Sequence, residues 1–165
     1  MFTTLRIAGL CMIALPLIFG RSHKEDLAKD RAKFEQETDP VHKAKLMVHL
    51  GRAEFEEIEK QAANNNLDEA LKGAREYEAQ ADVVAKALDA RGVSAEKHAS
   101  GFKELQISVR EALRRLNDLM VGFSSDEQKP FQPIRDNLDS LNRHLINELF
   151  PRQPTGRLEP EKKKS

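Results

Sequence analysis

Four stretches of this chain carry apolar residues at alternating intervals of three and four, a pattern that only packed helices satisfy. The first is Val41, Ala44, Val48, Gly51, Phe55, Ile58 and Ala62, and the second is Leu67, Ala70, Ala74, Tyr77, Ala81, Val84 and Leu88. Phe102, Leu105, Val109, Ala112, Leu116, Leu119 and Phe123 make the third; Ile134, Leu138, Leu141, Leu145 and Leu149 make the fourth. A period of about 3.6 residues gathers each set on one helix face, and such faces bury themselves against other helices at small crossing angles.

Start and stop residues bound five helices. The first runs from about Ser22 to Glu37, charged throughout, with Leu27, Arg31 and Phe34 as a narrow stripe. Asp39 is placed to accept from the orphan amides of a second helix that begins at Pro40 and ends near Ala63. Asn64, Asn65 and Asn66 break the chain, and Asn66 with Glu69 has the spacing of a capping box. The third helix ends near Arg91, with Gly92 as its left-handed cap. Ser94 is expected to open a fourth helix reaching Phe123; Ser124, Ser125, Pro130 and Pro133 then precede a fifth that stops at Pro151.

The short Asn66 turn makes helices two and three antiparallel. It sets Phe55 near Ala74, Gly51 near Tyr77 and Val48 near Ala81, large against small. A second hairpin around Ser124 sets Leu116 near Leu138 and Val109 near Leu145. The expected fold is therefore all-α: an antiparallel bundle of about four long helices plus a charged N-terminal helix, built from two helical hairpins. Opposite charges one turn apart (Asp82 with Lys86, Glu111 with Arg115, Asp139 with Arg143) add about 0.2–0.5 kcal/mol each.

Residues 1–20 read as a secretory signal: Arg6, then an apolar run from Ile7 to Phe19, then Gly20 ahead of Arg21. The run is too short to span a bilayer, which takes about 20 apolar residues, and Pro16 interrupts it. A cleaved leader places the protein in the periplasm or outside the cell; an uncleaved amphiphilic anchor is the alternative. Leu10 before Cys11 does not suit lipidation. Residues 21–151 form the bundle domain, and 152–165, rich in Pro, Gly and Lys, a disordered basic tail.

Cys11 is the one cysteine, so a mature chain has no disulfide, thiolate metal site or Cys nucleophile. Basic and acidic residues balance at 27 each, which gives no field to recruit nucleic acid. Arg110, Arg114, Arg115 and Lys103 read as a solvated face, and Lys162–Lys164 offer at most weak contact with an anionic envelope surface. His144 and Glu148 have a ligand spacing of four, but no second pair completes a metal site, and Met47 and Met120 read as core filler. Ser94, Ser124 and Ser125 stand at helix caps, the carboxylates fall mostly on polar faces, and no Gly-rich phosphate loop is present. Expected, then, is a protein that is not an enzyme and holds no cofactor. It would act by protein–protein interaction, self-association or an envelope structural role; a metal- or haem-binding bundle is the alternative.

Helix lengths suggest where a partner would dock. Helix five, at roughly 25 Å, falls short of helix four at about 43 Å. The uncovered end around Phe102 and Leu105 is shielded by Leu27 and Phe34 of helix one, or left open as a groove for a partner helix.

Two resemblances follow from particular residues. Leu50-Gly51 followed by Asn64 to Lys72 is similar to the middle of a tetratricopeptide repeat, which implies a peptide- or protein-binding hairpin. Phe34, Thr38-Asp39-Pro40, Lys43 to Leu46, Leu50, Ala53-Glu54, Asp68 to Leu71 and Tyr77 together resemble an uncharacterised bacterial exported helical-hairpin domain. That likeness implies a charged hairpin in an envelope setting and no particular activity.

Overall fold

A computed structural model describes residues 19–151, with side chains from residue 25 onward. Those residues form six helices and no strand: α1 (Phe19–Gln36), α2 (Pro40–Ala63), α3 (Leu67–Asp89), α4 (Phe102–Val121), the single turn α5 (Ser125–Gln128) and α6 (Gln132–Leu149). Most of the leader and all of the tail read from the sequence lie outside the described residues.

Cap chemistry explains most of the boundaries. Glu37 Oε1 accepts from the amides of Thr38 and Asp39 (2.8 and 2.9 Å), and Asp39 Oδ1 accepts from His42 N at 2.8 Å, so α2 starts at Pro40 as its sequence predicts. At its other end Asn65 takes a positive φ of 60°. The amides of Asn65 and Asn66 return to the carbonyls of Ala62 and Gln61, a two-bond Schellman closure. Asn66 precedes α3 but does not cap it. Its Nδ2 donates to Gln61 Oε1 instead, which corrects the expected capping box. Gly92 is left-handed, with φ 64°, as expected.

The fourth helix is the main correction. It begins at Phe102, not Ser94. The amides of Lys97 and His98 both close on Ser94 O in a turn, and Gly101 then halts it with φ 91°. A Cβ at Gly101 would lie 2.7 Å from Leu88 Cδ2 and 3.3 Å from Val41 Cα, so this break is pressed against α2 and α3. Glu104 Oε2 accepts from Gly101 N at 2.7 Å and starts the new helix. With 20 residues α4 spans about 30 Å, against about 27 Å for the 18 residues of α6. The length mismatch behind the proposed groove vanishes.

The packing centres on α2, which lies against α1, α3 and α4, while α4 also packs on α6 and α3 touches both α4 and α6. This explains why α2 buries Met47 and Leu50 beyond its expected stripe, whereas Val41 and Val48 stay half-buried. Every position of the α3 stripe from Ala70 to Leu88 is buried. One contiguous core runs through α1, α2, α3, α4 and α6.

Three helices meet at Gly51. A Cβ there would stand 2.6 Å from Tyr77 Cε2 and 3.0 Å from Ser108 Oγ, so only glycine admits this approach. Ser108 Oγ donates to Met47 O at 2.9 Å, which spends its single proton. The 2.9 Å contact with Tyr77 therefore has the phenol as donor. Burial pushes the Tyr77 phenol up, so it keeps that proton. The Tyr77 ring also meets Phe55 edge-on at 5.2 Å. Farther along, Arg115 grips Glu59 with two bonds of 2.7 and 2.6 Å and donates to Arg52 O; Glu111, its expected partner, pairs with Arg114.

Substitutions at this junction should separate its parts. Gly51→Ala gains about 1 kcal/mol of helix propensity but crowds a ring with no exposed area, and overpacking of about 1–3 kcal/mol wins. Urea unfolding is expected to show net destabilisation. Ser108→Ala strands the buried Tyr77 hydroxyl and costs about 1–3 kcal/mol; Tyr77→Phe leaves Ser108 bonded to Met47 O and costs about 0.5–1.5 kcal/mol. A larger loss in Tyr77→Phe than in Ser108→Ala would refute the assigned proton direction.

Candidate functional site

The stripe of α1 contains a charge. Arg31 stands between Leu27 and Phe34 at helical spacing, so its side chain is carried toward α2 along with theirs. On α2 the inner row Met47 and Leu50 continues one turn later as Glu54, which is 1% exposed. Arg31 Nε donates to Glu54 Oε1 at 2.8 Å, and Arg31 Nη2 lies 3.3 Å from Glu76 Oε2 on α3. Gln80 Nε2 donates to the same Glu54 oxygen at 3.3 Å.

The arrangement is only half satisfied. Glu54 Oε2, Glu57 Oε2 and Gln80 Oε1 are buried without a hydrogen-bond partner, and all three are acceptors. Lys60 Nζ lies 3.7 Å from that Glu57 oxygen, and Glu57 Oε1 accepts from Gln61. Burial pushes the Glu54 carboxyl up, with the charge and hydrogen bond of Arg31 pulling the other way.

Beside these groups is a hollow of about 240 Å³ between α1, α2 and α3, lined by Leu27, Arg31, Glu54, Glu57, Ile58 and Glu76, with Glu69 and Lys72 also on its wall. A second hollow of about 260 Å³ shares Leu27, Arg31 and Glu57 with it. The contact between α1 and α2 is thus open around its carboxylates, and a smaller hollow of about 120 Å³ lies beside Gly51, Phe55 and Ser108. Another groove, of about 480 Å³, lies between α3 and α6, where Leu138 and Leu141 are flanked by Glu78, Asp82, Asn137 and His144.

The four residues read as a partner groove are all buried, but not as one surface. Leu27 and Phe34 are on α1, which packs on α2, and Lys43 Nζ sits 4.9 Å over the Phe34 ring. Phe102 and Leu105 are at most 1% exposed, in the core where α4 meets α2, α3 and α6. Among the described residues no substantial packing joins α1 to α4, so Leu27 and Phe34 are not their cover. The groove is closed because α4 is shorter than expected and α6 nearly matches it.

The described histidines, 42, 49, 98 and 144, are all exposed, and His144 Nε2 lies 3.0 Å from Asp89 Oδ2. Among the described residues no three His, Cys, Asp or Glu side chains stand together as a metal set. Met47 and Met120 are buried in the core. Glu54 is the residue that the sequence reading passed over; its signal was the charge of Arg31 inside an apolar stripe, which demands an acidic partner.

The raised Glu54 carboxyl has a sign that can be measured. Between the usual value of 4.5 and its higher folded value, the folded chain binds more protons than the unfolded one. The Glu54 contribution to stability is complete below that window and lost as pH rises through the folded value. Urea titrations of wild type and Glu54→Gln from about pH 7 down to about 4.5 are expected to diverge in favour of wild type as pH falls. A difference flat in pH would contradict the burial of this carboxyl. Compared with known proteins, the chain matches no family model, no curated protein and no solved structure.

Proposed function

We propose that this chain is an exported, non-catalytic helical bundle that acts by protein–protein interaction or as a structural component of the cell envelope. The finer architecture belongs to the same proposal: an antiparallel bundle in which α2 and α3 form one hairpin and α4 and α6 a second, with α1 laid on α2. The packing of α2 on α3 and of α4 on α6, and the Asn65 turn and the short α5 between them, support that layout.

The observation that carries the functional reading is how the interior is spent. Apolar side chains from five helices line it, and its buried polar groups, Tyr77 with Ser108 and Glu54 with the half-exposed Arg31, tie helices together. A bundle so built works through its outer faces. The groove between α3 and α6, with half-buried Leu141 on its floor and Glu78, Asp82 and His144 at its edges, offers the combination of apolar centre and polar rim that protein interfaces use. No helix of the described residues is long and apolar enough to cross a membrane.

Export and partner binding are tested separately. Mass spectrometry of the exported chain is expected to find an N-terminus near Arg21; recovery of intact Met1 in the membrane fraction would replace the leader with an anchor. Pull-down from an envelope extract is expected to retain a partner on the wild-type chain and lose it with Leu141→Arg, whose circular dichroism matches wild type. Equal capture by both chains would remove the α3–α6 groove as the interface.

A further inference from the structure

The α3–α6 groove is bridged at its two ends and open between them. Asn137 Nδ2 donates to Glu78 Oε1 at 2.6 Å, and His144 Nε2 lies 3.0 Å from Asp89 Oδ2, so the two helices run in the same direction. Among the described residues no other hydrogen bond or ion pair joins them. The hollow of about 480 Å³ between these bridges has Leu138 and the half-buried Leu141 as its apolar floor. Its α3 margin is acidic. Glu78 and Asp82 line it, Asp89 stands at its end, and the one lysine paired with them, Lys86, answers Asp82. A fitting occupant brings an apolar side chain set between cations.

The chain itself carries such a segment, outside the described residues and next to the groove. α6 ends at Phe150, with φ −134° and ψ 64°, and Pro151 cannot continue it. Residues 152–165 then hold five basic side chains against two acidic ones, and a single large apolar residue, Leu158. Arg157 precedes that leucine, and Lys162, Lys163 and Lys164 follow it. Reach is ample. Leu141 lies about 12 Å back along α6 from Leu149, whereas the stretch from Leu149 to Leu158 extends up to about 30 Å. Pro154 and Gly156 stand in that stretch, where the chain must turn back. One leucine and a few solvated charges would hold a separate peptide weakly. A short tether raises the local concentration to about the millimolar range, which lets a weak contact be occupied. We propose that residues 152–165 cover the α3–α6 groove, with Leu158 on Leu141 and the basic residues against Glu78 and Asp82. The segment then competes with any partner for this face, and only that consequence rests on the interface proposed above.

Trypsin reads the contact, because a docked segment resists cleavage after Arg157. The exported chain is digested at low ionic strength beside a free peptide of residues 152–165, and early products are quantified by mass spectrometry. Cleavage after Arg157 is expected to be about threefold slower in wild type than in two groove variants whose circular dichroism matches it. These are Leu141→Asn and the double variant Glu78→Gln with Asp82→Asn. Val83→Ser, on α3 outside the groove at a residue 55% exposed, is expected to be cut as slowly as wild type. A wild-type rate equal to that of the free peptide, or equal rates in wild type and both groove variants, overturns the contact. Faster cutting of Val83→Ser overturns its assignment to this face. Protection that is lost on dilution places the segment on a second copy and overturns the intramolecular contact. Protection that holds while no partner is captured leaves the contact standing and removes the proposed interface. Where a partner is captured, Leu158→Ser is expected to retain about threefold more of it, and equal capture overturns the competition.

Discussion

The absence of a side chain at Gly51 is the constraint on which the rest of the packing depends. It lets the Tyr77 ring close on α2 and lets Ser108 reach the Met47 carbonyl, so one missing methyl brings three helices to a point. Both hydroxyls are spent there in a directed chain, phenol to serine to carbonyl. A directed chain of this kind sets the registers of α3 and α4 against α2 together: sliding either helix by one turn would strand a buried hydroxyl. Hydrophobic faces alone tolerate such slips, because a stripe of alanines and leucines repeats every turn. The polar junction removes the degeneracy that the apolar seams leave.

The second polar junction is built on the opposite principle. At Glu54 a charge is buried, its partner Arg31 is more than a third exposed, and one carboxylate oxygen has nothing to accept. Buried charges stabilise only when every lone pair is answered, and this one is answered by half. The element it fastens, α1, is also the one whose packing is confined mainly to a single neighbour. Local stability follows the number and quality of such contacts, so α1 is where opening costs least.

Much of this fold was legible in the chain, and the failures have definite causes. The α2 boundaries, the buried α3 stripe and the approach of Gly51 to Tyr77 follow from period and local caps, which neighbouring residues decide. The start of α4 does not. Ser94 offers a proper cap, but the break comes at Gly101, whose φ is 91° and where even a methyl would crowd Leu88 and Val41, residues that only the folded chain brings near. An α4 begun at Ser94 would be eight residues longer, and the groove expected at Phe102 and Leu105 depends on that extra length. Glu54 was hidden for a related reason. An acidic residue reads as solvent-facing until its partner, 23 positions earlier, is seen to lie across from it.

Arg115 shows the same competition between near and far. The spacing from Glu111 satisfies the one-turn rule, worth a few tenths of a kcal/mol on an exposed face. Glu59 offers two parallel bonds to the planar guanidinium, and the Arg52 carbonyl and the Phe55 ring, 5.9 Å away, add to that environment. A bidentate, partly desolvated partner outweighs a solvated neighbour, so Arg115 crosses to α2 and Glu111 turns to Arg114. In this chain local rules decide where helices are, and fixed geometry at a distance decides which side chains join them. Arg31 obeys that second rule as well, reaching Glu54 on α2 and Glu76 on α3 and leaving one Glu54 oxygen without a partner.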